Sequence, residues 1–355
     1  MADLTRARAL ASRVRLSEDR SSPLLSAKNF AGRSAHRDTM LRNGLLVSRQ
    51  VTPSIEGRLS DVCDALDIPR NNVTAFVYND PNIQADCLVD SQETCVLRFS
   101  SGLINLMSPE EFRFVCGHEL AHFLYGHGAT EDSFDGESLE GYMVKRAMEL
   151  SADRIGFLCT DDLEHSIKAI MKTASGLSNE LLRFDVAGFL SQTNLISSPS
   201  SGEDEQNSHP SMLIRCRSLL WFSMVVPTKN VLDGSTEKEI DKVNKRVVND
   251  LERLVDGQVR LRKSGLIDDV ALWKAVLLIY HNGAFGKDAQ RRLSGAFGEE
   301  ILESVIEFFD LYERTELCAE ITSRLESLLS RAAREFPSSA RDMENEAFEK
   351  AYQII

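Results

Sequence analysis

Apolar positions first fall into a helical rhythm after Pro53, where Ile55, Leu59, Val62, Cys63 and Leu66 recur at the spacing of one buried face and stop before Pro69. Three short runs follow, at residues 73–78, 85–89 and 94–99. Each is closed off by Asn, Asp, Pro, Gln or Ser, and together they predict a small β-sheet. Ser108, Pro109, Glu110 and Glu111 then form a capping box with proline at the first helical position, and Met107 and Phe112 are spaced as a hydrophobic staple. The predicted helix starts at Ser108, runs through Phe123 and ends near Gly126, where glycine can take the left-handed conformation. After an acidic stretch at residues 131–137, expected to be a solvated loop, the periodicity predicts helices over 139–158 and 163–173.

A polar Ser/Glu segment at residues 197–208 reads as a surface loop. Beyond Pro227 the pattern changes to amphipathic helical stretches at 237–254, 270–280, 299–312 and 317–334. Residues 1–45 are polar and Arg/Ser-rich and carry at most one helix. The predicted organisation is a basic N-terminal arm (1–45), a central α+β domain (46–228) and a separate helical C-terminal domain (229–355), so the chain is α+β and mostly helical. A length of 355 residues, beyond what one hydrophobic core usually serves, agrees with more than one domain.

Charge narrows the partners. With 41 Lys and Arg against 54 Asp and Glu, the net charge of −13 disfavours a nucleic-acid partner, whose phosphates need clustered cations. The seven cysteines are scattered and have no C-x-x-C spacing, so they read as free thiols of a reducing, cytoplasmic setting. Arg6, Arg8, Arg13, Arg15 and Arg20 precede no apolar run, which excludes a secretory signal. Their Arg-rich, acid-poor composition is shared by transit peptides, and a solvated basic arm is the expectation. The longest apolar stretch, about ten residues at 218–227, is half of the roughly 20 needed to span a bilayer, so no membrane span is expected.

The chemistry lies in the helix after the capping box. His118, Glu119, Leu120, Ala121 and His122 spell H-E-x-x-H, and residues four apart share a helix face with about 5 to 6 Å between Cβ atoms. Two imidazoles so placed can meet one zinc ion at about 2.0 to 2.1 Å. Glu119 sits about 100° round the helix and is placed to take a proton from a water on the ion rather than to bind it. A catalytic zinc site needs a third protein ligand, and the next helix offers Glu149. Asp153, four residues on, shares its face and can accept a hydrogen bond from the far nitrogen of a ligating histidine. One zinc ion per chain is expected. His127, just past Gly126, reads as a helix-end histidine favoured by the dipole.

The helix at His118 to His122, the E-x-x-A-D run from Glu149 to Asp153 preceded by Arg146, and the later His209, Pro210 and Ser211 with Arg215 resemble the HtpX-like and CAAX-prenyl-endopeptidase family of metallopeptidases. The motifs come in family order, and residues 101–106 resemble the family's entry into its active-site helix. The resemblance implies a gluzincin zinc endopeptidase with a zincin-like core, acting on protein or peptide substrates. Its well-known members are membrane-embedded, and membrane location and prenyl substrates do not carry over to a chain without their spans. Where the family has Asn-Ala-Phe on the strand that pairs with the peptide, this chain has Gln84, Ala85 and Asp86, and the acidic Asp86 hints at basic substrates. His209, which Pro210 would place at the start of a helix running through Arg217, is the candidate donor to the developing oxyanion, and Arg215 would anchor Glu149 or the preceding loop.

Two other readings are open. The chain could be a binding or regulatory protein that recruits a protein partner through its C-terminal helical domain and whose zinc site is structural or inactive, against which the intact Glu119 argues. A metal amidase of the deformylase type would draw its third ligand from an upstream cysteine, for which Cys95 is available without the expected Gly- and Cys-rich context.

Overall fold

A computed structural model of the chain describes residues 4–19, 34–127, 138–196, 207–226, 234–283 and 285–355. The expected acidic loop at 131–137 and all but Asn207 and Ser208 of the Ser/Glu loop lie outside these residues. The chain is mostly helical with one small mixed sheet, and its contacts divide it into two compact units. Among the described residues no helix is long and apolar enough to cross a membrane.

The first unit takes in residues 4–127 and 142–254. It opens with helices α1 (Thr5–Val14) and α2 (Ser34–Asn43), then strand β1 (Leu45–Leu46) and helix α3 (Pro53–Ala65). The N-terminal residues thus hold two helices rather than at most one, and they are not simply a solvated arm. Leu4, Ala7, Ala11 and Val14 are buried at helical spacing in the unit's core, while the arginines of α1 lie between them on the outer face. Strands β2 (Val73–Tyr78), β3 (Ala85–Val89) and β4 (Cys95–Ser100) complete a sheet of order β1-β2-β4-β3. β2 and β4 run parallel, with Val73 opposite Cys95, and β3 lies antiparallel to β4 at the edge, with Ala85 opposite Phe99.

Helix α4 (Ser101–Leu106) leads into α5 (Pro109–Tyr125). The capping box of α5 is complete: Ser108 Oγ accepts from Glu111 N, and Glu111 accepts from Ser108 N. Gly126 ends the helix in the left-handed region at φ 75°. Nearly every side chain of α5 is buried, because α1, α3, α7 (Leu163–Ser175) and the sheet surround it. Lys172 of α7 pins its start, donating to Glu111 at 2.6 Å and to Leu106 O at 3.0 Å in a fully buried pair. Helix α6 (Leu139–Thr160) follows α5 in sequence, and two glycines let their backbones approach. A Cβ on Gly117 would lie 2.6 Å from Cys159 Sγ and 3.0 Å from Gly156 Cα, and one on Gly156 would meet Phe114 at 2.9 Å.

After the short α8 (Val186–Leu190), α9 covers Met212–Val225 and α10 Gly234–Leu251. α9 does not begin at Pro210: Ser211 is its N-cap, accepting from Ile214 N, and proline stands before the cap. α10 belongs with this unit rather than with the C-terminal helices. Glu237 pairs with Arg13, Asn244 accepts from the buried Arg154, and Asp250 pairs with Arg217. The compact unit therefore ends at Leu254, not at residue 228.

The second unit is helical and holds residues 138–141 and 255–355. Its helices are α11 (Gly257–His281), α12 (Lys287–Phe297), α13 (Glu299–Leu311), α14 (Leu317–Glu335) and α15 (Ala340–Ile354). α11 packs on α14 and α15, and Trp273 meets Phe308 edge-on at 4.6 Å with the Arg324 guanidinium over its ring.

Candidate metal centre

A largely buried cluster of polar side chains in the first unit lies where α5 passes α6. His118 and His122, one turn apart on α5, bring their Nε2 atoms within 3.2 Å of each other. Glu149 on α6 reaches both: Oε2 is 3.3 Å from His118 Nε2, and Oε1 is 3.6 Å from His122 Nε2. Among the described residues these three form the group able to hold a metal ion, with one ligand atom of each within 4.8 Å of the others. Cys95 opens β4 and is not part of that group.

The chemistry of the set calls for a cation. The His118 Nδ1–H donates to Asp153 Oδ1 at 3.0 Å, so Nε2, the nitrogen open to a cation once its proton is displaced, faces a second imidazole nitrogen and a carboxylate. Glu149 Oε2 is buried and finds no well-formed hydrogen bond. Electrostatics say the same. Burial opposes a charge on His118, but its hydrogen bond with Asp153 and the nearby Glu149 carboxylate outweigh burial and push the imidazole up to about 10. Glu149 is held well below the usual carboxylate range: burial works against its charge, and the pull of the surrounding histidines overcomes it. The site therefore attracts positive charge, and a divalent ion bound there would displace a proton. Burial, aided by His127 and His118, lowers His122 to about 3 and keeps it a neutral imidazole, the form that binds a metal.

Asp153 is fully buried and receives a bidentate pair from Arg215 of α9, Nε to Oδ2 at 2.8 Å and Nη2 to Oδ1 at 2.6 Å. Arg215 thus anchors Asp153, not Glu149 or the loop. Burial works against the Asp153 carboxylate, and Arg215 holds its pKa down nonetheless. Glu119 lines the cleft beside the histidines. Its burial, with the nearby charges of Glu149 and Asp86, pushes its carboxyl up to about 7 against the pull of His118 and Arg215.

Two hollows meet at Glu119, of about 510 and 420 Å³, and Ala85, Asp86, His118, Glu149 and His209 line both. The first runs along β3 as far as Asp90. The second lies against Leu103, Phe114, Val115 and Ile170, with Gln84 and Arg215 at its wall. The edge strand β3 is the rail of the cleft. Ser100 N donates to Gln84 O and Asp90 N to Thr94 O, so even-numbered residues face β4, and Ala85 and Cys87 turn their backbone groups to the other edge. Asp86 is not a free anion, because Arg98 opposite it on β4 grips both oxygens at 2.7 and 2.8 Å. The hint of basic substrates loses its footing.

His209 is the most exposed of the group, 63% by side chain, with Nε2 3.7 Å from Glu149 Oε2. The buried Arg146 of α6 donates to Asn207 O at 2.8 Å and the Asn207 side chain accepts from His209 N, which fixes the approach of this segment. Sequence reasoning missed two residues. His127 is not simply a helix-end histidine: its Nδ1 lies 2.7 Å from His122 Nδ1, and its Nε2 lies 3.1 Å from Asp19 Oδ2. The left-handed turn at Gly126 was the one signal that the chain could fold back onto α5.

Comparison with known proteins fits this geometry. Residues 49–142 match the profile of peptidase family M48. The match takes in β2 to β4 and α5 with His118, Glu119 and His122, and it stops short of Glu149, which the fold supplies. The plastoglobule-localized metallopeptidase 48, chloroplastic, of Arabidopsis thaliana is 24% identical over 241 residues, covering 59% of this chain and 70% of the relative. No solved structure matches the chain. Residues 49–142 are therefore similar to a peptidase family M48 domain, consistent with a zincin-like core, and the chain is a protease.

Proposed function

We propose that the enzyme is a zinc-dependent endopeptidase, holding one zinc ion per chain on His118 Nε2, His122 Nε2 and Glu149. The observation that carries the reading is the convergence of two imidazole Nε2 atoms and an under-satisfied carboxylate on one point, with a buried carboxylate, Glu119, beside it in the cleft. Zinc in that place would acidify a water and polarise the scissile carbonyl. Glu119, poised near neutrality by burial, takes the proton from the attacking water and passes it to the leaving amine. His209 donates to the oxygen on which negative charge develops. Asp153, gripped by Arg215, keeps the hydrogen of His118 on Nδ1 and so leaves Nε2 free to ligate.

The substrate is an extended peptide laid along β3. Ala85 and Cys87 offer it backbone hydrogen bonds, which need no particular side chain, so Gln84, Ala85 and Asp86 serve in place of the Asn-Ala-Phe of the resembling family. The order of the motifs supports an HtpX-like affiliation within M48. A cytoplasmic setting rests on the seven cysteines, none of which is in a disulfide. The chloroplast address in the relative's name stays with that relative. The helical second unit is read as a docking surface for a protein partner.

Elemental analysis of the zinc-loaded chain tests the ligand set. One zinc per chain is expected in the wild type and in Cys95→Ser, and loss of it in His122→Ala and Glu149→Ala. Zinc retained by Glu149→Ala, or lost by Cys95→Ser, would replace this site with the deformylase-type one.

A further inference from the structure

A line of buried hydrogen bonds leaves the metal centre through His127, at the wall of the larger hollow, and ends in the chain's N-terminal segment. We propose that Asp19 and His127 are positioning residues for the second metal ligand, and that the segment after α1 is thereby a working part of the centre. The inference rests on the zinc reading above. His127 and Asp19 are 4% and 0% exposed by side chain, so water does not compete for their bond.

With an uncharged His127 the bonding has one solution, and it is the one that leaves His122 Nε2 open to a cation. A carboxylate only accepts, so Asp19 takes the hydrogen of His127 Nε2 at 3.1 Å. A neutral His127 then carries its lone pair on Nδ1, which faces His122 Nδ1 at 2.7 Å and must accept from it. That puts the hydrogen of His122 on Nδ1 and its lone pair on Nε2, the nitrogen facing His118 and Glu149. The opposite arrangement would place a hydrogen on His122 Nε2 and close that nitrogen to a cation. His118 is oriented directly by Asp153, and His122 by a carboxylate acting through one intervening imidazole.

The segment that carries Asp19 is fastened to both helices of the centre. Tyr125 of α5 donates from its hydroxyl to Ala11 O at 2.8 Å while its ring stacks on His127 at 5.1 Å. On α6, Arg154 donates to Val14 O at 2.9 Å, and Ser151 Oγ accepts from Leu16 N at 3.1 Å. Asp19 is therefore delivered to its place by contacts with the elements that carry His122 and Glu149.

The test is zinc affinity measured by chelator competition on the full chain. Asp19→Ala and His127→Ala should each weaken zinc by about 10- to 100-fold, with Asp19→Asn weakened less because its amide oxygen still accepts. Asp19→Ala combined with His127→Ala should bind no more weakly than His127→Ala alone, since Asp19 acts only through His127. Tyr125→Phe removes one of the three fastenings but keeps the stacked ring and those of Arg154 and Ser151, and should weaken zinc much less than Asp19→Ala does. Single variants within about twofold of wild type, or an equal loss in Tyr125→Phe, would overturn the proposal. Should Asp19→Ala not fold, Asp19→Asn decides: weakening of about threefold or more supports the relay, and unchanged affinity removes it. A wild type that binds no zinc defeats the zinc reading and the relay together, whereas tight binding that all variants share defeats the relay alone.

Discussion

His209 is the most exposed member of the site, and the role proposed for it is consistent with that exposure. A side chain 63% exposed contributes little to holding the fold, yet its ring lies 3.7 Å from Glu149 and borders both hollows. A donor in that position acts most strongly once charge appears on the carbonyl oxygen, so it lowers the barrier more than it tightens substrate binding. His209→Ala should reduce kcat by about 10²- to 10³-fold with KM and zinc content little changed. A loss confined to KM, or activity near wild type, would leave His209 a structural part of the approach to α9. At this scale the sequence was legible wherever chemistry obeys helical periodicity: His118, His122, Glu149 and Asp153 are read from spacings of four. Asp86 was misread because its partner Arg98 depends on strand register, and Asp19 was invisible because 108 residues separate it from His127.

Helices α5 and α6 must nearly touch for Glu149 to reach both histidines, and Gly117 and Gly156 permit the approach. Gly117→Ala would set a methyl group 2.6 Å from Cys159 Sγ and 3.0 Å from the Gly156 backbone, and a backbone cannot yield as a side-chain end does. The expected cost is about 1 to 3 kcal/mol in urea unfolding, with weaker zinc binding in the same variant because Glu149 rides on the displaced helix. Gly57→Ala is the control: its Cβ would meet nothing within 4 Å, and it should be neutral or stabilising. Unchanged stability and zinc affinity in Gly117→Ala would show that the contact is not needed to assemble the site. The elements themselves were legible where caps are strong, as at Ser108 and Gly126. α1 was hidden because its buried face is made of Ala7, Ala11 and Val14 between arginines, and α15 because Met343, Ala347 and Ala351 present a mostly small-residue stripe. α12 buries only Ala289 and Leu293 and is framed by glycines that read as breaks.

Over the whole chain, the sequence separates a catalytic part from a helical one but misplaces the seam. The amphipathic pattern of α10 looks like that of the helices after it, and only its partners Arg13, Arg154 and Arg217 assign it to the catalytic unit. Composition cannot supply those pairings, because they join positions 33 to 224 residues apart. The account of the whole molecule stands on one claim, that a zinc ion on α5 and α6 hydrolyses peptide bonds with Glu119 as base. The most direct measurement is cleavage of casein and of a peptide library by wild type and Glu119→Gln at matched zinc occupancy. The account predicts one zinc per chain in both proteins, internal cleavage by the wild type alone, loss of that cleavage with a chelator and its return with zinc. A zinc-loaded wild type that cleaves nothing, or a Glu119→Gln variant within about tenfold of wild type, would contradict it.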